Sequence, residues 1–292
     1  MGFWKSLFGG EEENTEEAKR NAEDKNFDLL KYDGVKALRM NQVEYAEKCF
    51  REALKIHDDL ETRDYLQQTL IRQGRLEDAL AELKVMAAAA PDNVAVLMQA
   101  AHVAYMLEDY PEMQAICEQA LAIDPDHAMA NYQLAQAALG QGDLIGTIAR
   151  LTKAIASAEN LADARLLRSK VLLKMGDLKG AGEDVDWLLA HTTDEEDVLL
   201  QAARLMHAKA DDDGAMTLYN KVIDLNPFQI DAYSERGKIR YDRGDKQGAE
   251  EDMQKVLELN PNALADVSGE YSAEGIEEKV KKAYTILNPF GI

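Results

Sequence analysis

An all-α solenoid of helical hairpins is the fold this sequence predicts. Two sets of helix-breaking residues share one period, and small residues recur between them. Pro91, Pro125, Pro227 and Pro261 keep a single 34-residue register, with Glu159 and Thr193 at the steps between. The last two prolines sit in near-identical phrases, "VIDLNPF" and "VLELNPN". Gly74, Gly142, Gly176 and Gly244 keep a second register of the same period, and Glu108 and Ala210 take its remaining steps.

Each mark has a physical task. A glycine after a run of helix formers takes the left-handed conformation that ends a helix, and the Asp or Arg after it opens the next one, as in "RQGRLEDA" and "KMGDLKGA". A proline has no N–H to give and restricts the residue before it, so it stops the helix at the other end of the unit. One unit therefore reads helix, glycine turn, helix, proline turn. A period of this length is that of stacked helical hairpins.

The small residues follow the same period. Gly34, Ala101, Ala135, Ser169, Ala203 and Gly237 form one set, Ala46, Ala79, Ala181, Ala215 and Ala249 another, and Ala53, Ala120 and Ala154 a third. Bulky partners alternate with them: Phe50, Leu66, Leu83, Leu134, Leu151 and Tyr219. Over residues 27–263 this text resembles the tetratricopeptide repeat family. The resemblance implies a right-handed superhelical solenoid of about seven repeats, the first shortened by about one residue because Ala46 and Ala79 stand 33 apart. Gln67, Met86, Met113, Thr147 and Leu188 replace small residues of the pattern, and looser or differently tilted joints are expected there.

Two segments flank the repeats. Residues 1–26 open with "GFWKSLF", whose Phe3, Trp4, Leu7 and Phe8 fall on one side of a short helix, and continue into an acidic lead-in that is flexible or helical. That apolar tip has three readings: burial on the first repeat, a sticky peptide for a partner, or weak contact with a membrane surface, since so few apolar residues do not anchor alone. Residues 264–292 hold one more amphipathic helix, Ala273 to Leu287, with Ile276, Val280, Ala283, Tyr284 and Leu287 on its apolar side. An open stack ends in an exposed apolar face, so this helix is expected to cap it.

Composition narrows the function. The 292 residues carry 33 Lys and Arg against 54 Asp and Glu, a net charge of −21. Nucleic-acid binding needs a concentrated basic surface, which this balance disfavours, and anionic lipid is repelled as well. Cys49 and Cys117 both lie in helical text and read as buried thiols in a reducing compartment. No stretch is long and apolar enough to span a bilayer, and the start lacks the pattern of a signal peptide. The cytoplasm is the expected location.

A solenoid of this kind uses the concave face lined by the first helix of each hairpin. One position of that face recurs as Gln68, His102, Gln136, Lys170, Arg204 and Lys238. One turn to either side lie Met98, Tyr105, Met106 and Tyr132 in repeats three and four, and Lys174, His207 and Tyr241 in repeats five to seven. The candidate partner-binding residues are therefore Met98, His102, Tyr105, Tyr132, Gln136, Lys170, Lys174, Arg204, His207, Lys238 and Tyr241. Repeats three and four offer adaptable apolar contact, and five to seven offer cations. A peptide with an apolar part followed by acidic residues, or ending in a free carboxylate, matches both. Lys170, Arg204 and Lys238 have a structural reading too, in which they pair across repeats with the ladder Asp163, Asp197 and Asp231. A subset of the resembled family clamps carboxylates with lysine and asparagine; the positions here are Lys31, Val35, Asp64 and Gln68, so that specificity does not carry over.

No catalytic constellation or cofactor is expected. The five histidines show no metal-ligand spacing, and "DDDG" at Asp211 to Gly214 lacks the alternation of a calcium loop and reads as a helix N-cap. The repeats use most of the chain, leaving no catalytic domain. A non-catalytic adaptor is the expected function. A self-associating structural protein and a membrane-peripheral assembly factor are the rivals.

Overall fold

The computed structural model describes residues 9–263 and residue 284, and among them are fourteen α-helices and no strand. The apolar tip at residues 1–8 and the helix expected over Ala273 to Leu287, Tyr284 excepted, lie outside the described residues. No described helix is long and apolar enough to cross a membrane. Between Asp143 and Leu144 the chain divides into two compact units.

The first unit holds α1 (Gly9–Arg39), α2 (Val43–Ile56), α3 (Leu60–Arg72), α4 (Leu76–Ala89), α5 (Val94–Met106), α6 (Tyr110–Ile123) and α7 (Ala128–Gly140). Each helix packs on the next in chain order, and α5 also touches α7, the arrangement of stacked hairpins. The lead-in is helical: α1 runs without a break from the acidic stretch into the first repeat, and residues 16–26 of it are exposed. One continuous apolar core joins the unit from Ala37 to Ala137.

The second unit holds α8 (Leu144–Ser157), α9 (Ala162–Lys174), α10 (Leu178–His191), α11 (Glu196–Ala208), α12 (Asp212–Leu225), α13 (Ile230–Asp242) and α14 (Lys246–Leu259), again packed in chain order with α9 against α11. Its apolar core is split into smaller clusters. Two carboxylates are buried inside hairpins of this unit. Asp184 is gripped by Arg168 at 2.7 and 2.8 Å, with Arg165 at 3.4 Å. Asp252 is held by Arg236 at 2.5 and 3.1 Å, with Arg240 at 3.1 Å. These pairs tie the two helices of a hairpin, α9 to α10 and α13 to α14. In the hairpin between them Leu199, Ala202 and Leu218 pack instead.

The small-residue ladders occupy the contacts. All fourteen members named from the sequence are buried. The larger replacements Gln67, Met86, Met113, Thr147 and Leu188 are buried too. At Gly34 an added Cβ would stand 2.5 Å from the Phe50 ring, so only glycine lets α1 close on α2. Gly237 makes room in the same way for Tyr284, whose hydroxyl donates to the Ala249 carbonyl oxygen at 2.9 Å. This single described residue beyond Ala263 thus sits against the last hairpin.

The turns follow the expected chemistry. Gly74, Gly142, Gly176 and Gly244 all have φ between 73° and 84°. Asp59, Asp109, Asp177, Asp211 and Asp245 cap the helices that follow them, each accepting from the backbone N–H three residues on. The first residue of "DDDG" therefore serves as an N-cap. The two non-glycine steps of the glycine ladder adopt the same backbone shape: Glu108 has φ 56° and Ala210 φ 62°. A left-handed L-residue costs about 1–2 kcal/mol, and glycine returns part of that as unfolded-state entropy. Ala210→Gly should therefore raise stability by about 1 kcal/mol in urea titration, with an unchanged m-value. No gain would mean that this turn relaxes in solution.

Candidate functional site

The first helices of the hairpins carry the candidate residues because the core claims their other faces. In the first unit α5 buries Val96, Leu97, Ala100, Ala101, Val103 and Ala104. That leaves Met98, His102, Tyr105 and Met106 along the open side, at the spacing of one helical face. Met98 is half-buried against the core, His102 is exposed, and Tyr105 and Met106 are 41% and 43% exposed. On the neighbouring α7, Tyr132 and Gln136 are half-buried, with the Gln136 amide reaching the Tyr132 oxygen at 3.5 Å. The two helices are joined by Gln133, whose Nε2 donates to the Met98 carbonyl at 3.4 Å. The structure thus brings the five sequence-predicted residues of this unit onto two adjoining helices.

In the second unit the cations separate into two kinds. Arg204 on α11 is held within the chain: its guanidinium donates to the Glu235 carboxylate at 2.6, 2.9 and 3.1 Å, and to Asp231 at 2.9 Å. The Asp231 contact is the cross-repeat pairing that the acid ladder allowed. Glu235 is 1% exposed and also accepts from the Tyr219 hydroxyl at 2.8 Å. Lys238 is engaged by Asp242 one turn along its own helix at 2.5 Å. His207 Nδ1 lies 2.6 Å from Asp212, and the Tyr241 ring lies 5.7 Å from that of Tyr284. Lys170 and Lys174, one turn apart on α9, form no ion pair among the described residues. Lys170 is half-buried and Lys174 exposed.

Burial sets the electrostatics of the Arg204 cluster. Loss of hydration pushes the Glu235 carboxyl above its usual range, against the opposing pull of Arg204 and the Tyr219 hydroxyl. Burial beside that carboxylate also pushes the Tyr219 phenol up. Asp252 is likewise raised by burial, with Arg236 pulling it down. Cys49 and Cys117 are buried free thiols, and desolvation lifts Cys117 to about 12, so neither is an activated nucleophile. Among the described residues no group of three His, Cys, Asp or Glu stands where it could hold a metal ion.

The hairpin of α13 and α14, residues 230–263, matches the family model described as Tetratricopeptide repeat. Solved structures match the fold over most of the chain. A tetratricopeptide repeat protein from Parabacteroides merdae ATCC 43184 has a TM-score of 0.68 at 18% identity, over 89% of this chain and 99% of its own. Its last hairpin is a tetratricopeptide repeat, and the fold is that of tetratricopeptide-repeat proteins. PilW, a widely conserved type IV pilus biogenesis factor, aligns with a TM-score of 0.62 at 20% identity, over 69% of this chain and 94% of its own. The pilF protein of Pseudomonas aeruginosa aligns at 0.56 and 19%, over 70% and 94%. At these identities the likeness is one of fold. No curated protein matches the sequence. Tetratricopeptide solenoids present extended surfaces to other polypeptides, and this chain carries that scaffold.

One set of residues was not singled out from the sequence. Glu235 belongs to a 34-residue ladder that reads Tyr65, Gln99, Gln133, Leu167, Gln201 and Glu235. Its period was visible, but only the fold shows that Gln133, Gln201 and Glu235 are buried, with Gln133 and Glu235 bonded to the preceding first helix.

Glu235 yields a test of the Arg204 assignment. Removing one partner of a buried ion pair costs about 3–5 kcal/mol, so Arg204→Ala should destabilise by that amount at neutral pH. Lys238→Ala, removing a surface pair, should change stability by less than about 1 kcal/mol. A carboxyl whose folded pKa is raised is disfavoured when ionised. Its contribution is best below the unfolded carboxylate value and is lost as pH rises. The Arg204→Ala deficit should accordingly shrink between pH 7 and pH 5, as Glu235 takes up a proton. Urea titrations across that range check it, and a pH-independent deficit would contradict the role given to Glu235.

Proposed function

We propose that this protein is a non-catalytic adaptor that holds a partner polypeptide on the first-helix faces of its repeats. The first unit offers Met98, His102, Tyr105, Tyr132 and Gln136 for apolar and aromatic contact. The second offers Lys170 and Lys174 for an acidic segment or a terminal carboxylate. The observation that carries this reading is the state of those two lysines. In a chain of net charge −21 they stand one turn apart without an acidic partner among the described residues, while Arg204 and Lys238 are matched. Partly desolvated ammonium groups bind carboxylates through charge-assisted hydrogen bonds, and methionine with tyrosine adapts to varied apolar side chains. Tyr105 and Met106, both more than two-fifths exposed on α5, support the apolar half. Two buried free thiols fit the reducing cytoplasm in which we place the protein.

The reading is tested by cross-linked pull-down and mass spectrometry with the full chain and two double variants. Tyr105→Ala with Met106→Ala alters the first unit, and Lys170→Glu with Lys174→Glu the second. These side chains lie outside the core, so helicity by circular dichroism should be unchanged and stability should shift by less than about 1 kcal/mol. Recovery of the wild-type partner should fall at least tenfold for one or both variants. Equal recovery by all three proteins would remove these faces as the binding surface.

A further inference from the structure

The first and last hairpins are finished differently. Tyr284 lies against the last one, in the space that Gly237 leaves. The first has an apolar outer face instead. Leu29 begins a register that continues, after the 33-residue first step, as Thr62, Val96, Ala130, Ala164, Val198 and Ala232. Those six are all buried, whereas Leu29 is 58% exposed. Tyr32 holds the step before Tyr65 in the ladder that ends at the buried Gln201 and Glu235, and it is 66% exposed. A terminal repeat ordinarily turns a polar face outward. Here positions that are buried in later repeats carry a leucine and a tyrosine that stay open.

The opposite side of α1 faces its own chain: Asp24 meets His57 at 2.7 Å, and Lys31 donates to Asp59 at 2.9 Å. The outer stripe runs up the helix from Tyr32 through Leu29 and Lys25 to Ala22 and Ala18, all exposed. At helical spacing the same stripe reaches Glu11, Phe8 and Trp4. It is therefore bulky and apolar at both ends and small in the middle.

The apolar tip cannot cover this face in its own chain. Leu29 lies 20 residues along α1 from Gly9, a rise of about 30 Å. Phe3 is six residues before Gly9, and an extended chain of that length spans only about 20 Å. A second copy has no such limit. Residues 11–17 hold five glutamates, and residues 19–25 hold Lys19, Arg20 and Lys25 against two acids. Antiparallel helices set one stretch along the other, with Glu11 beside Lys25 of the other copy. Parallel helices would set glutamates against glutamates.

We propose that this chain pairs with a second copy of itself through antiparallel α1 helices, related by a two-fold axis at Ala18. Trp4 and Phe8 of each copy cover Tyr32 and Leu29 of the other, and Ala18 and Ala22 let the two backbones meet between them. The glutamates beside the tip repel anionic lipid, which disfavours a membrane as the cover. The pairing leaves the faces of repeats three to seven uninvolved, so it is tested separately from the adaptor reading.

The full chain, followed by light scattering behind size exclusion as its concentration is raised, should reach twice the monomer mass. Leu29→Glu with Tyr32→Glu, and separately Trp4→Glu with Phe8→Glu, should each weaken pairing at least tenfold. Leu29 and Tyr32 are exposed, so circular dichroism of the first variant should match the wild type. Lys25→Glu should weaken pairing, and adding Glu11→Lys should restore it, since the ion pair is then only reversed. On mild oxidation Ala18→Cys should form a covalent dimer at least tenfold faster than Arg20→Cys, which lies on the far side of α1. The native Cys49 and Cys117 are buried and stay out of that reaction. A monomer at every concentration would overturn the proposal, as would a dimer that both double variants leave intact. Pairing lost with the Leu29 and Tyr32 variant but kept with the Trp4 and Phe8 variant would remove the tip as the cover. Failed rescue by charge reversal, or equal cross-linking of the two cysteine variants, would remove the antiparallel arrangement. Flotation of a monomeric chain with phosphatidylcholine–phosphatidylglycerol vesicles, abolished by Trp4→Glu with Phe8→Glu, would assign the tip to a membrane and overturn the pairing.

Discussion

Helix pairs in this chain close because side chains are nearly absent at their crossing points. Ala46, Ala79, Ala181, Ala215 and Ala249 are fully buried at equivalent positions, and each lets two backbones meet where a leucine would hold them apart. Gly34 is the extreme case, since even a methyl group there would strike the ring of Phe50. The larger residues Phe50, Leu83, Leu151 and Tyr219 fill the space on either side. Everything on the open faces depends on this closeness. It fixes which side of α5, α9 or α11 is consumed by packing and which remains available to another molecule.

The two units reach the same architecture by different chemistry. The first unit is joined by one apolar core, and the polar residues it buries are uncharged. The second buries Asp184, Glu235 and Asp252, each held by at least one arginine. Burying a carboxylate is costly, and a matched arginine offsets that cost without producing a large surplus. What such pairs supply is geometry, because a guanidinium fork accepts few orientations of its partner. Arg204 and Arg236 therefore orient helices, whereas Lys170 and Lys174 have no such task.

The period of the fold was legible in the sequence because its marks are steric. A proline stops a helix, a glycine turns it, and an alanine brings two helices together in any homologous setting. Asn41, with φ 56°, takes the glycine position 33 residues before Gly74, which is how the shortened first repeat keeps its turn. The early start of α1 and the division after Asp143 were not legible, since the 34-residue register runs through the division without a break. The candidate face was legible as a set of positions, but the state of each cation was not. Arg204 and Lys170 look equivalent along the chain. Arg204 is held by residues 27 and 31 positions away, where one sequence gives no sign of burial and a glutamate and a glutamine are nearly the same shape.

The seams inside the hairpins of the second unit alternate. Arg168 and Asp184 close α9 on α10, Leu199, Ala202 and Leu218 pack at the same level in the next hairpin, and Arg236 and Asp252 close α13 on α14. Thr152 and Asn220, themselves two repeats apart, accept from the two arginines in the same way. The true unit of identity here is thus a pair of repeats. A helix displaced by one repeat during folding would set a bare aspartate against leucine, and an error that a uniform array would tolerate becomes one that this array rejects.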